Sequence, residues 1–324
     1  MVWTFVLAAF FMDACQGARL QETRPLMGTA VEVIAEGPAQ PALRAAAEES
    51  FREMNRLSDM MNHYDPRSVV SAINDAAGLH PVPVPAELKQ VFAMAQRVSR
   101  RSRGAFDITV GGLRGWSFRQ DDPRMPEAAA IARQLPLVNW KDLVVDEKSN
   151  SAFLRKAGMR VDLGGIAKLY ILEAGIRLLG RPGVERAMLN GGGDVVAFGR
   201  PGVPPWRVGI RDPAAPEKLL GLVEITRGFV ASSGDYERYF IRDGERYHHV
   251  LDPRTGFPSR GPRGVTLVSE RLEAVNGLGV VIMVLGKTEG MRLVKQTRGL
   301  DALIVDRDGS TWLSAGMRAR LRRN

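Results

Sequence analysis

Polar and apolar positions alternate along Met27-Gly28-Thr29-Ala30-Val31-Glu32-Val33-Ile34, the period of a half-buried strand. Over residues 41–57 the apolar positions recur every three or four residues instead, which predicts a helix with one buried stripe. A loop, His63-Tyr64-Asp65-Pro66-Arg67-Ser68, leads into a short second helix toward Asn74. Helical spacing returns over 85–101 with Leu88, Val91, Phe92, Met94 and Ala95, and Gly104 ends it. Residues 121–138 are rich in proline and charge and predict a surface loop that carries a helix. Beyond them, 143–146, 151–154 and 160–163 read as strands, and 166–179 as a helix stopped by Gly180 and Pro182. Residues 184–268 are strand-dominated, with turns at Gly191-Gly192-Gly193-Asp194, Asp212-Pro213 and Asp243-Gly244. A last helix over 274–285 and a strand over 302–305 complete an α+β chain. There is no internal repeat or low-complexity tract.

With 324 residues, 45% hydrophobic and 25% charged, the chain is long enough for one large domain or two lobes around a shared core, and disorder is not expected. The net charge of +9 is spread along the sequence, although Arg318, Arg320, Arg322 and Arg323 crowd its end. That tail reads either as a solvated end or as a contact for anionic lipid headgroups or an acidic partner. No basic patch interleaves with aromatics, so nucleic acid is not an expected partner.

Residues 1–14 are nearly all apolar, with Asp13 the only charge, and they end at the only cysteine, Cys15. The run has the length of a signal h-region and is short for a membrane span. It predicts an export leader over 1–20, a single domain over 21–324, and a periplasmic location. Met12-Asp13-Ala14 before Cys15 is an imperfect lipoprotein box, without the usual aliphatic residue or a basic n-region. Both a free exported form and one anchored to the inner membrane through Cys15 stay open. With one thiol no intramolecular disulfide can form, so cysteine usage does not decide the compartment.

The densest chemistry lies in Asp162-Leu163-Gly164-Gly165-Ile166-Ala167-Lys168, where acid, glycine pair and base fall within seven residues. The glycines let the backbone approach a ligand, and a helix opening near Ala167 offers unpaired N–H groups to an anion. Asp162 and Lys168 then read opposite ends of one polar molecule, or form a structural ion pair with each other. A second polar segment, Tyr247-His248-His249-Val250-Leu251-Asp252-Pro253-Arg254-Thr255-Gly256-Phe257-Pro258, suggests a composite site. His248 and His249 are adjacent, so on a strand they face opposite sides and do not clamp one metal, which argues against zinc. Gly191-Gly192-Gly193 lacks the spacing of a dinucleotide fingerprint, and no phosphate-loop motif occurs.

These two segments belong to a longer ordered set. It comprises Met27-Gly28-Thr29, Tyr64-Asp65-Pro66-Arg67-Ser68 with Ile73-Asn74, Gly104-Ala105-Phe106-Asp107-Ile108-Thr109-Val110, Asp162 to Lys168, Asn190-Gly191-Gly192-Gly193-Asp194, Trp206-Arg207-Val208-Gly209-Ile210, Ser232-Ser233-Gly234-Asp235-Tyr236, and His249 through Pro258. In that order, and over nearly everything after the leader, the chain resembles the bacterial FAD:protein FMN transferases, the ApbE-like flavin transferase family. The resemblance implies a two-lobed single-chain α+β fold, with mixed and antiparallel sheets, flanking helices and FAD bound between the lobes. It also implies exported enzymes, often lipoproteins, that split FAD and attach FMN through its phosphate to a threonine of a target flavoprotein, releasing AMP with magnesium. The acceptor it suggests is a subunit of a membrane redox complex.

Carried onto this sequence, the resemblance makes Asp162 and His249 catalytic candidates. It places Met27, Tyr64, Ala105, Phe106, Asp107, Asp162, Lys168, His249 and Val250 around FAD, with Lys168 toward a phosphate or the flavin ring and Asp162 accepting from flavin or ribityl groups. His248 is expected to be exposed. Read without the resemblance, Met27 and Phe106 are ordinary core residues and Asp252-Pro253-Arg254-Thr255-Gly256 is a plain turn.

One stretch departs from the family. Its last helix begins with an Ala-Asp-Ala-Leu-Ala-Thr-Ala-like pattern, whose Asp and Thr hold magnesium together with a carbonyl of the glycine turn. Here the run is Val275-Asn276-Gly277-Leu278-Gly279-Val280-Val281. Gly165 and Asn276 are then the remaining metal candidates, and Val280 supplies no oxygen to an ion that prefers hard anionic ligands. Leu169 and Glu173 also replace the usual glycine and aspartate after the lysine. Two readings follow: a flavin transferase with a weakened or rearranged metal site, or a transferase-inactive FAD-binding or flavin-delivery accessory of a membrane redox complex.

Overall fold

Strands Ala18–Leu26 and Thr29–Gly37 form an antiparallel hairpin closed by Met27 and Gly28, at φ of 53° and 70°. Positive φ at both turn positions is what a two-residue connection between right-twisted strands requires. The stretch expected to be strand from Met27 onward therefore starts with the turn itself. A computed structural model describes residues 17–322 of the chain, so residues 1–16 with Cys15 lie outside the described residues, while the last three positions of the leader expected over 1–20 belong to the first strand.

The hairpin opens an eight-stranded sheet. Its order continues through Arg186–Gly191, Asp194–Gly199, Gly228–Gly234, Gly264–Ser269, Asp301–Val305 and Thr311–Leu313, antiparallel at every step. Because side chains alternate between faces, the sheet separates two apolar cores. Val31, Val33, Ala35, Leu189, Val265 and Leu267 enter the larger one, and Ile34, Val195, Val230, Val268 and Leu303 the smaller. The larger core is roofed by helices Gln40–Met61 and Ala167–Leu179, which bury Leu43, Phe51 and Met54 against Leu172 and Ile176. Gly175 permits their close packing, since a Cβ there would meet Met54 Sδ at 2.7 Å. The smaller core is covered by the hairpin Trp206–Asp212 with Ala215–Ile225 and by helix Ala315–Arg320.

A second lobe comprises helices Val69–Asp75 and Ala86–Arg101 and a three-stranded sheet of Val82–Pro83, Ser151–Leu154 and Leu143–Asp146. Its Leu88, Val91, Phe92 and Leu154 are continuous with the larger core. The α+β expectation is borne out, and the sheets pair antiparallel, with a parallel bridge from Val110 to Arg160.

Two expected elements differ. Residues 160–163 form no strand beyond that bridge, because the Asn74 carboxamide takes the place of a partner strand. Its Nδ2 donates to the Val161 carbonyl at 3.1 Å and its Oδ1 accepts from the Val161 N–H at 2.6 Å. The helix expected over 274–285 is broken into Leu272–Val275 and Leu278–Leu285, with Asn276 extended and Gly277 left-handed at φ 76°. A left-handed residue stops the helical ladder at small cost only when it is glycine. Among the described residues no helix is long and apolar enough to cross a membrane.

Candidate functional site

At the end of the large sheet nearest the second lobe, five pieces of chain converge. They are the Gly191-Gly192-Gly193-Asp194 turn, the end of strand Gly228–Gly234, the 162–168 turn, the broken helix, and the segment that follows strand Glu245–His248. Together with Ala105, Phe106 and Asp107 they enclose a cavity of about 400 Å³, in the size range of small-molecule sites.

Lys168 opens helix Ala167–Leu179 and turns its ammonium to Asp194, with Nζ 2.8 Å from Oδ2. The other oxygen of Asp194 accepts from the Ser232 N–H at 3.0 Å, so strand and helix are tied across the cavity floor. Lys168 thus does not pair with Asp162, which removes the structural ion pair left open by the sequence. Asp162 Oδ1 instead accepts from the Gly164 N–H at 2.7 Å and lies 3.6 Å from His63 Nδ1. That local bond shapes the turn and leaves Oδ2 without a protein donor among the described residues.

His249 reaches the cavity from the opposite wall. Its Nδ1 stands 3.3 Å from the Arg238 carbonyl, an oxygen that can only accept, so Nδ1 carries the hydrogen and Nε2 the lone pair. Burial first, then the Arg238 guanidinium and His248, push this imidazole down to about 3, and it is neutral at working pH. His248, expected to be exposed, is 5% exposed. Its Nε2 donates to the Ser259 carbonyl at 2.9 Å and its Nδ1 accepts from the Val250 N–H at 3.3 Å, so it braces the loop from the inner face. Burial lowers its pKa as well.

Ala105 and Phe106 are buried and line the cavity, as does Val250. The Phe106 ring lies over the glycine turn, where a Cβ on Gly165 would come within 3.1 Å of it. Phe106 is therefore core and cavity wall at once. Asp107 also lines the cavity, but its oxygens accept from Thr109 N at 2.8 Å, Thr109 Oγ1 at 2.7 Å and Trp140 N at 2.8 Å. It holds the loop, and burial pushes its carboxyl up. Tyr64 stands at the mouth, 79% exposed, with its ring 3.9 Å from that of His63. Met27 is apart from these residues: it sits in the hairpin turn, packs on the larger core and is not part of the cavity wall. His63, Asp194, Ser233 and Arg238 line the cavity without having been singled out as site residues. The first three lie in or beside motifs already noted, whereas Arg238 carries no sequence signal of its own.

The metal candidates do not assemble. Gly165 borders the cavity, but Asn276 is 2% exposed and its Nδ2 donates to the Ile166 carbonyl at 2.9 Å. That nitrogen is a donor, and the remaining amide Oδ1 is a neutral oxygen, a weak ligand for an ion that prefers anionic ones. Val280 presents methyl groups to the same corner, 3.7 Å from where a Gly165 Cβ would stand. Among the described residues no three His, Cys, Asp or Glu cluster as a metal site. Magnesium requires an octahedron of hard oxygens, and this donor set does not fit it.

Comparison with known proteins agrees with the geometry. A family model described as the ApbE family matches residues 27–304. A FAD:protein FMN transferase of Klebsiella pneumoniae is 34% identical over 281 residues, which cover 85% of this chain and 87% of that one. Another, of Treponema pallidum, is 31% identical over 309 residues, 90% of this chain and 85% of that one. Among solved structures, the ApbE protein of Thermotoga maritima superposes with a TM-score of 0.84 at 32% identity, over 95% of this chain and 100% of that one. The flavin transferase ApbE of Vibrio cholerae gives 0.80 at 26% identity, over 94% of this chain and 100% of that one.

Proposed function

The chain belongs to the ApbE family, and from that membership we propose that it is a FAD:protein FMN transferase, carrying FMN from FAD to a threonine of an acceptor flavoprotein and releasing AMP. The observation that carries this reading is the convergence of Asp162, the Lys168–Asp194 pair and neutral His249 on one cavity between the lobes.

Transfer of FMN is phosphoryl transfer. The acceptor hydroxyl oxygen forms a bond to the FMN phosphorus, the bond from that phosphorus to the bridging oxygen of the diphosphate breaks, and AMP leaves with that oxygen. Such a step needs alignment, charge neutralisation and a home for the hydroxyl proton. Lys168 offers a cation whose direction is fixed by Asp194. The free Oδ2 of Asp162 can accept from a flavin or ribityl donor, and the lone pair on His249 Nε2 can accept a hydrogen bond from the acceptor hydroxyl and so orient it. Tyr64 at the mouth and Phe106, Ala105 and Val250 within offer apolar surface to the isoalloxazine ring. Asp107 acts here through the loop that it holds. No step is routed through magnesium, whose expected ligands Gly165 and Asn276 do not form a suitable set.

We further propose export to the periplasm by residues 1–20, action of residues 21–324 as one unit, and an acceptor on a membrane redox complex. The resemblance and the apolar leader support these points. Incubation of the mature chain with FAD and threonine-containing acceptor domains, followed by a denaturing gel, tests the activity. A fluorescent acceptor band is expected. FAD binding without a band would favour the accessory reading instead.

A further inference from the structure

The cations that line the cavity are unequally placed. Lys168 is paired with Asp194 at 2.8 Å, and Arg160 lies 3.7 Å from Asp75. Arg238 also lines the cavity, on an exposed loop, and has no ion-pair partner among the described residues. Its backbone is fixed, because its carbonyl accepts from His249 N at 3.1 Å and from His249 Nδ1 at 3.3 Å. A free guanidinium is thereby stationed beside the imidazole that faces the reacting centre, and its charge is felt there.

Across the cavity, the corner expected to hold a cation lacks an anionic oxygen, and its Ile166 carbonyl is already engaged. Where a metal would bridge a carboxylate to backbone oxygens, Asn276 places an amide hydrogen directly on the Ile166 carbonyl, 2.9 Å from nitrogen to oxygen. The break at Gly277 makes this possible, since it turns Asn276 out of the helix and toward the glycine turn. Val280 then closes the corner with methyl groups.

Resting on the transferase reading, we propose that this chain binds the FAD diphosphate without a divalent cation and that Arg238 supplies the counter-charge. A guanidinium suits that task because its fixed fork makes two charge-assisted hydrogen bonds to phosphate oxygens and stays charged at every working pH. Neutral flavins that lack phosphate gain nothing from it.

The test measures binding of FAD and of riboflavin, by flavin fluorescence, to the mature wild-type chain and to Arg238→Gln and Arg238→Lys, each in EDTA and in magnesium. Wild-type affinity for FAD is expected to agree within about twofold between the two buffers. Arg238→Gln is expected to weaken FAD about tenfold or more, the size of a lost charged hydrogen bond, and to leave riboflavin within about twofold, with Arg238→Lys between. The double variant Asn276→Asp, Val280→Thr is expected to gain magnesium-dependent FAD binding that the wild type lacks. A wild type that tightens on FAD tenfold in magnesium overturns the proposal, and so do equal losses of FAD and riboflavin in Arg238→Gln. A wild type that binds no flavin in either buffer overturns the transferase reading itself, an outcome distinct from these.

Discussion

At the scale of single residues, His249 sets the sharpest expectation. Its ring is neutral because burial and Arg238 disfavour the charged form, so in the free protein it offers its lone pair without first losing a proton. A histidine base with an ordinary pKa would give an acid limb in kcat/KM near pH 6.5. Here kcat/KM is expected to stay level from pH 8 to about pH 5.5, while His249→Ala lowers it about a hundredfold. A limb at pH 6 to 7 that disappears in the variant would show the imidazole to be titrating normally. Acid, glycine pair and base at short spacing made Asp162 and Lys168 legible as a polar site, whereas His249 was singled out over His248 only through the family resemblance. Arg238 was not legible, since arginine is common here and only the fold shows which one lacks a partner.

At the scale of elements, the local period foretold most helices and strands, and the failures have physical causes. Strand Ala18–Leu26 buries little besides Leu20 and Leu26, so it carries no clear alternation. The break at Gly277 is set by a left-handed backbone conformation, in a run whose apolar content reads as continuous helix. Residues 160–163 looked like a strand and are held like one, with a side chain as partner. Asn74→Ala would leave the Val161 N–H and C=O unpaired in a buried place, at a cost of about 2 kcal/mol. Urea denaturation should record that loss. A variant of unchanged stability would mean that water or a shifted backbone replaces the clamp.

At the scale of the whole molecule, two cores on one sheet and a second lobe continuous with the larger core bring residues from 63 to 280 around a single cavity. No sequence motif states that proximity; the ordered set of motifs implied it only through resemblance. Buried His248 and half-buried His249 also give the fold a pH signature. Both His248 and His249 have folded pKa values below that of the unfolded chain, near 6.5. As pH falls below 6.5 the unfolded chain takes up protons that the folded one refuses, so stability is full above that value and declines beneath it. Between pH 7 and 5.5 a loss of stability is expected from both rings, in the direction that their lowered folded pKa values set. Carboxylates held low by ion pairs add their losses only in stronger acid. Unfolding free energies that stay equal at pH 7 and 5.5 would refute this expectation.

Strand Ala18–Leu26 also acts as a spacer. Ala18 pairs with Gly37 at the sheet end remote from the cavity, and Leu26 meets Thr29 at the near end. Nine residues at about 3.3 Å each make a strut of about 30 Å. Only Gln16 and Gly17 separate it from Cys15. A tether at that cysteine would therefore join the molecule at the sheet end remote from the cavity, about 30 Å along the strand from the turn at the near end.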